Sequence, residues 1–116
     1  MAGPEKKVEN SIKRWLELKG CFVIKTLGGT PGTPAGCPDI ITCYKGYVIF
    51  IEVKRTFGGV VSEIQKAQIN KIKKGGNIAI VANDLKQVKN IIHQIESYAI
   101  ENKDLINSCN ELGVDF

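Results

Sequence analysis

Histidine is nearly absent from this chain of 116 residues, with His93 the only one. A mechanism that needs a histidine pair is therefore excluded. The four cysteines, Cys21, Cys37, Cys43 and Cys109, form no C-x-x-C pair and have no histidine at finger spacing. A zinc site is not expected from such a set, and reduced thiols in a cytoplasmic setting are. No run of residues is long and apolar enough to span a membrane, and the opening MAGPEKK lacks the apolar centre of a signal peptide. Internal repeats and low-complexity segments are also lacking. The Gly/Pro-dense stretch Leu27 to Pro38 has no G-K-[ST] ending and no helix after it, so it is not a phosphate-cradling P-loop. Its expected roles are a mobile flap or a plain connection. Charge excess is small, at +4. It acquires meaning only if an acidic pocket is set among basic surroundings.

Against these absences stands one informative stretch, Gly36 to Lys54, GCPDIITCYKGYVIFIEVK. Two runs rich in β-branched and aromatic residues, Ile40–Tyr44 and Tyr47–Val53, are separated only by Lys45-Gly46. Such runs joined by two residues read as an antiparallel hairpin. If Tyr44 pairs with Tyr47, counting back along both strands sets Asp39 opposite Glu52, with Cα atoms ~4.5–5.5 Å apart. Lys54, two residues on, shares the face of Glu52. Two carboxylates so placed repel by roughly 3 kcal/mol at an effective dielectric of ~20. A hard divalent cation relieves that repulsion, since it takes carboxylate and phosphate oxygens as ligands. The ammonium of Lys54 could then bind a phosphate or help activate a water. The alternative is that Asp39 simply opens a strand after Pro38, while Glu52 and Lys54 are solvated strand residues.

The remaining chain supplies a frame. Gly3-Pro4-Glu5 is a helix start, and Val8, Ile12, Trp15 and Leu16 recur at helical spacing up to Lys19, with Gly20 as the stop. Glu9 falls at the edge of that apolar stripe, where it either reaches an internal site or complements the helix dipole, and Glu5 competes for the same role. Cys21–Thr26 reads as a strand. Ser62 and Gln65 form an S-x-x-Q capping box at the start of a second helix. Gln65 also shares a stripe with Ile69 and Ile72, so capping and an inward site role both stay open. The lysines of that helix, Lys66, Lys71, Lys73 and Lys74, are expected on a solvated face rather than on DNA. Asn77–Ala82 is a short buried strand, and Asn83-Asp84 precedes a helix with Leu85, Val88, Ile91, Ile92, Ile95 and Ala99 inward and His93 at the surface.

This order, αβββαβα, is an α/β fold with a mixed four-stranded sheet flanked by helices, the crossover helix implying a parallel last strand. Residues 1–100 are expected to be a single domain. Residues 101–116, with scattered Leu105, Ile106, Leu112, Val114 and Phe116, are a tail that could form a short helix, pack on a partner subunit or fray.

The element order and the motif Pro38-Asp39 … Glu52-Val53-Lys54 resemble the PD-(D/E)XK nuclease superfamily with its restriction-endonuclease-like core. With GGVVSEIQ and the helix ending KKGG added, the chain from Lys7 to Ala82 resembles the VRR-NUC family. That resemblance implies Asp39 and Glu52 as ligands of Mg²⁺ or Mn²⁺, joined by the backbone carbonyl of Val53. It implies Lys54 as the residue that positions the attacking water or stabilises developing charge, and Gln65 as the family's glutamine on the following helix. Glu9, eleven residues before Gly20, would match a first-helix glutamate that meets the metal through water, as in Holliday-junction resolvases of this superfamily. Lys25, Lys45 and Arg55, near the site in sequence, are expected phosphate contacts. Small stand-alone members are of phage or bacterial type and resemble homodimeric resolvases, acting in a bacterial host cytoplasm if phage-encoded. The implied activity is metal-dependent endonucleolytic cleavage of branched DNA, without an organic cofactor. The alternatives are a catalytically silent nucleic-acid-binding module or a subunit of a larger phage or repair complex.

Overall fold

The computed structural model describes residues 3–98 and 103–115, so Ala99 and Phe116 lie outside the described residues. Helix α1 (Pro4–Leu18) begins with Pro4 in the first turn and is followed by Gly20 at a positive φ of 90°. Strands β1 (Phe22–Lys25), β2 (Ile40–Tyr44) and β3 (Tyr47–Val53) come next. They are followed by α2 (Glu63–Lys74), β4 (Ile78–Ala82), α3 (Leu85–Tyr98) and α4 (Lys103–Asn110). The helix and strand order expected from the sequence is present, with α4 added where the tail begins.

The sheet runs β1-β2-β3-β4, antiparallel across the first two pairings and parallel across the last. The β2–β3 register pairs Tyr44 with Tyr47 and Ile40 with Ile51, as the two-residue connection requires. Lys45 and Gly46 both take positive φ, 48° and 88°, the conformation of a type I′ turn. Lys45 is the one non-glycine residue among those described that does so.

Alternation along the strands sends Ile40, Ile49, Ile51 and Val53 to one face. There they pack with Val8, Ile12 and Leu16 of α1 and with Val88, Ile92 and Ile95 of α3. Thr42 on the same face is buried, and its hydroxyl donates to the Phe22 carbonyl at 2.8 Å. The crossover helix α2 lies apart from this core and buries only Ile69. The second face of the sheet carries Phe22, Ile24, Val48 and Phe50, and the first three stay 69%, 44% and 38% exposed. No helix among the described residues is long and apolar enough to cross a membrane. The four cysteines are free.

Candidate active site

The open end of the β2–β3 hairpin gathers the acidic residues. Thr26, just past β1, holds the approach to β2: its N–H donates to the Asp39 carbonyl at 2.9 Å and its hydroxyl to the Pro38 carbonyl at 2.7 Å. The preceding loop is fastened to α2 rather than free. Gln68 Nε2 donates to the Ala35 carbonyl at 2.9 Å. Gly36, at φ 76°, sits so close to α2 that a β-carbon there would come within 2.8 Å of the Ile64 carbonyl oxygen. Glycine is required for both the backbone angle and the clearance. These contacts fix Cys37-Pro38-Asp39 from both sides.

Asp39 Oδ2 accepts from the Val53 N–H at 2.7 Å, so the aspartate is locked across the hairpin onto the residue between Glu52 and Lys54. Glu52 is 2% exposed, and its Oε1 has no hydrogen-bond partner. Lys54 Nζ lies 3.9 Å from Glu52 Oε2. Burial first, and then the neighbouring Asp39 carboxylate, push the Glu52 carboxyl up to about 8, with Lys54 opposing them. The protein thus holds a strained carboxylate pair with one oxygen unsatisfied. That is the donor set a hard divalent cation fits, because it would give a partner to a buried oxygen that has none.

Two acids of α1, one helical turn apart, lie near the pair. Glu9, 6% exposed, receives Lys6 Nζ at 2.6 Å on one oxygen and Lys25 Nζ at 3.0 Å on the other. Burial pushes its carboxyl up, but these two ammonium groups outweigh burial and hold it below the usual carboxylate range. Lys25 continues to Asp39 Oδ1 at 3.5 Å, so Glu9 reaches the aspartate through a lysine. Glu5, one turn earlier on α1, lines an open cleft of about 490 Å³ with Lys6, Lys54, Arg55 and Val60. Its charge contributes to the rise of Glu52. Among the described residues no three His, Cys, Asp or Glu side chains converge as a metal-binding group. The pair is therefore two carboxylates, with Glu9 set back.

Gln65 forms the capping box that its spacing implies. The Ser62 N–H donates to Gln65 Oε1 at 3.0 Å, and the Gln65 N–H donates to Ser62 Oγ at 3.2 Å. Arg55 lines the cleft, with Nη2 donating to the Gly58 carbonyl at 2.9 Å. Two other cations lie elsewhere than their sequence neighbours suggest. Lys25 faces inward onto Glu9 and Asp39. Lys45 occupies the hairpin turn, the end of β2–β3 remote from Asp39 and Glu52, with its ammonium 5.8 Å from the centre of the Tyr44 ring. A seven-residue strand carries the chain ~20 Å between those ends, so nearness in sequence to Glu52 is not nearness in space. Thr26 and Gln68, which anchor the Asp39 approach, carry no signal in the sequence. Only knowledge of which strands and helices adjoin would have singled them out.

The family model described as archaeal Holliday junction resolvase (Hjc) matches residues 4–111 of this chain. A solved structure titled VRR_NUC domain is similar at 28% identity with a TM-score of 0.67, over 79% of this chain and 97% of that one. No curated protein matches.

Proposed function

Since the chain belongs to the archaeal Holliday junction resolvase (Hjc) family, nucleases of the PD-(D/E)XK type, we propose that it is a divalent-metal-dependent endonuclease acting on branched DNA such as four-way junctions. The observation that carries this reading is the buried Glu52 carboxylate, with one oxygen unpartnered, set against Asp39 and Lys54. A structural pair would be expected to satisfy both oxygens internally.

In this reading Asp39, Glu52 and the Val53 carbonyl would hold Mg²⁺ or Mn²⁺. When bound, such an ion supplies a water of lowered pKa and positive charge beside the phosphoryl oxygens. The rest of the work falls to the chain. Asp39, anchored by the Val53 N–H, keeps the ligand oxygens in one geometry before substrate arrives. Lys54 orients the attacking water and offsets the negative charge that develops at phosphorus. Gln65, at the start of α2, keeps its amide nitrogen for a phosphate or water while its oxygen caps the helix. Glu9 orders water at the margin of the site. Arg55 and Lys6 in the cleft contact flanking phosphates, a sequence-independent mode suited to reading branch shape.

A homodimer is part of this proposal. The exposed strip of Phe22, Ile24 and Val48 on the open sheet face gives a second copy an apolar seat. The test is incubation of a labelled four-way junction, beside flap and linear duplex controls, with Mg²⁺, Mn²⁺ or EDTA. Paired incisions confined to the junction and stopped by EDTA are expected. Equal cutting of linear duplex would contradict the branched-DNA reading, and absence of cutting on every substrate would favour a silent binding module.

A further inference from the structure

We propose that the Lys25 ammonium takes the place of a second metal ion, so that each chain binds a single divalent cation. This rests on the reading of Asp39 and Glu52 as metal ligands and specifies the capacity of that site. Lys25 ends β1, and its register partner is Ile40, the residue after Asp39. Its Nζ bridges Glu9 Oε1 at 3.0 Å and Asp39 Oδ1 at 3.5 Å. The bridged groups come from two separate places in the chain, α1 and the residue just before β2.

Two-metal nuclease chemistry needs a carboxylate shared between the ions and a further acid to hold the second. In this chain Asp39 is the group that would be shared, and Glu9 is the further acid. The centre already lying between them is the protein's own cation. It carries a single charge and three hydrogen-bond donors, and it accepts no water as a ligand. It therefore balances the two carboxylates without generating a second reactive water.

The surrounding charge points the same way. In the ion-paired set Glu9, Asp39 and Glu52 face Lys6, Lys25 and Lys54, three of each sign once a bound ion holds Glu52 ionised. One divalent ion leaves this cluster doubly positive, suited to the phosphodiester that must join it. A second ion that displaced Lys25 would leave it threefold positive. A second ion between Glu9 and Asp39 could bind only by displacing Lys25.

Counting Mn²⁺ bound to the full chain by electron paramagnetic resonance titration, without DNA, tests this. One ion per chain is expected for wild type and two for Lys25→Ala, the second disappearing when Glu9→Gln is added. Circular dichroism checks the fold, and Lys25→Gln replaces the alanine variant should that fail to fold. Two ions on wild type, or still one on a folded Lys25 variant, would overturn the assignment to Lys25 and leave the metal site standing. No ion on wild type would overturn both.

Discussion

Glu52 concentrates the chemistry of this chain at the scale of a single residue. A buried charge without compensation costs several kcal/mol, and here burial and Asp39 together answer by raising the Glu52 carboxyl to about 8. The neutral form is thus favoured by the fold. Its stabilising contribution is complete below the ordinary carboxyl value of 4.5 and is lost as pH rises through about 8. Metal-free protein should therefore lose stability between pH 5 and pH 8, on the order of a few kcal/mol at ~1.4 kcal/mol for each tenfold change in proton activity. Glu52→Gln should flatten that slope and raise the melting temperature at pH 8 by several degrees, and Mg²⁺ should cease to stabilise the variant. Thermal melts across pH, with and without Mg²⁺, check all three. A wild-type melting temperature that climbs from pH 5 to pH 8 would contradict this view of Glu52. Glu9 works in the opposite sense. Its contribution is lost only as pH falls below the ordinary carboxyl range, so it does not confuse the window.

The elements explain why some of this was legible in the sequence and some was not. Two β-rich runs with a two-residue gap have one favoured register, and that register alone sets Asp39 against Glu52; the observed pairing follows it. The helices were legible from their stripes and caps, down to the reciprocal bonds of Ser62 and Gln65. Lys25 was not, because its neighbours depend on which strand lies beside β2 and on the helix packed beneath. Lys45 is the reverse case, a residue close to Glu52 along the chain but at the far end of the hairpin. The Leu27–Pro38 loop, read from sequence as a mobile flap or a plain connection, has its last residues pinned by Gln68 and by the close approach of Gly36 to α2. From that approach, Gly36→Ala should destabilise the protein by about 1–3 kcal/mol, through a strained backbone and a clash with helix backbone that cannot yield. It should also slow cleavage, because Asp39 lies three residues on. Chemical denaturation and a rate assay on the same sample check this. Unchanged stability would mean that the loop is not held as described.

At the scale of the whole molecule, two faces of one sheet have different work. One face is closed by α1 and α3 and forms the core. The other is only partly covered, by α2, and leaves Phe22, Ile24 and Val48 open on the same face that Glu52 occupies further along. Exposed apolar patches of ~300–600 Å² on a small protein are commonly functional. A second copy seated there would set two sites in fixed relation, as paired incisions demand. Phe22→Glu should convert a dimer to a monomer by sedimentation equilibrium while leaving the core intact. It should also turn paired junction incisions into single ones. A wild-type chain that sediments as a monomer at micromolar concentration would contradict this arrangement. The four lysines of α2 are exposed, and three lie in its last turn where the helix dipole favours them. They need no DNA to account for their placement.

In the proposed function Asp39 and Glu52 form a metal-dependent phosphodiesterase centre completed by Lys54. Its most direct test is four-way-junction cleavage in Mg²⁺ by wild type beside Asp39→Asn, with junction affinity measured in parallel. The expected result is a loss of activity of at least about 100-fold, as removal of a preorganised charged group from a reacting centre commonly produces, with the fold and junction affinity nearly unchanged. Cleavage by Asp39→Asn at the wild-type rate would contradict it.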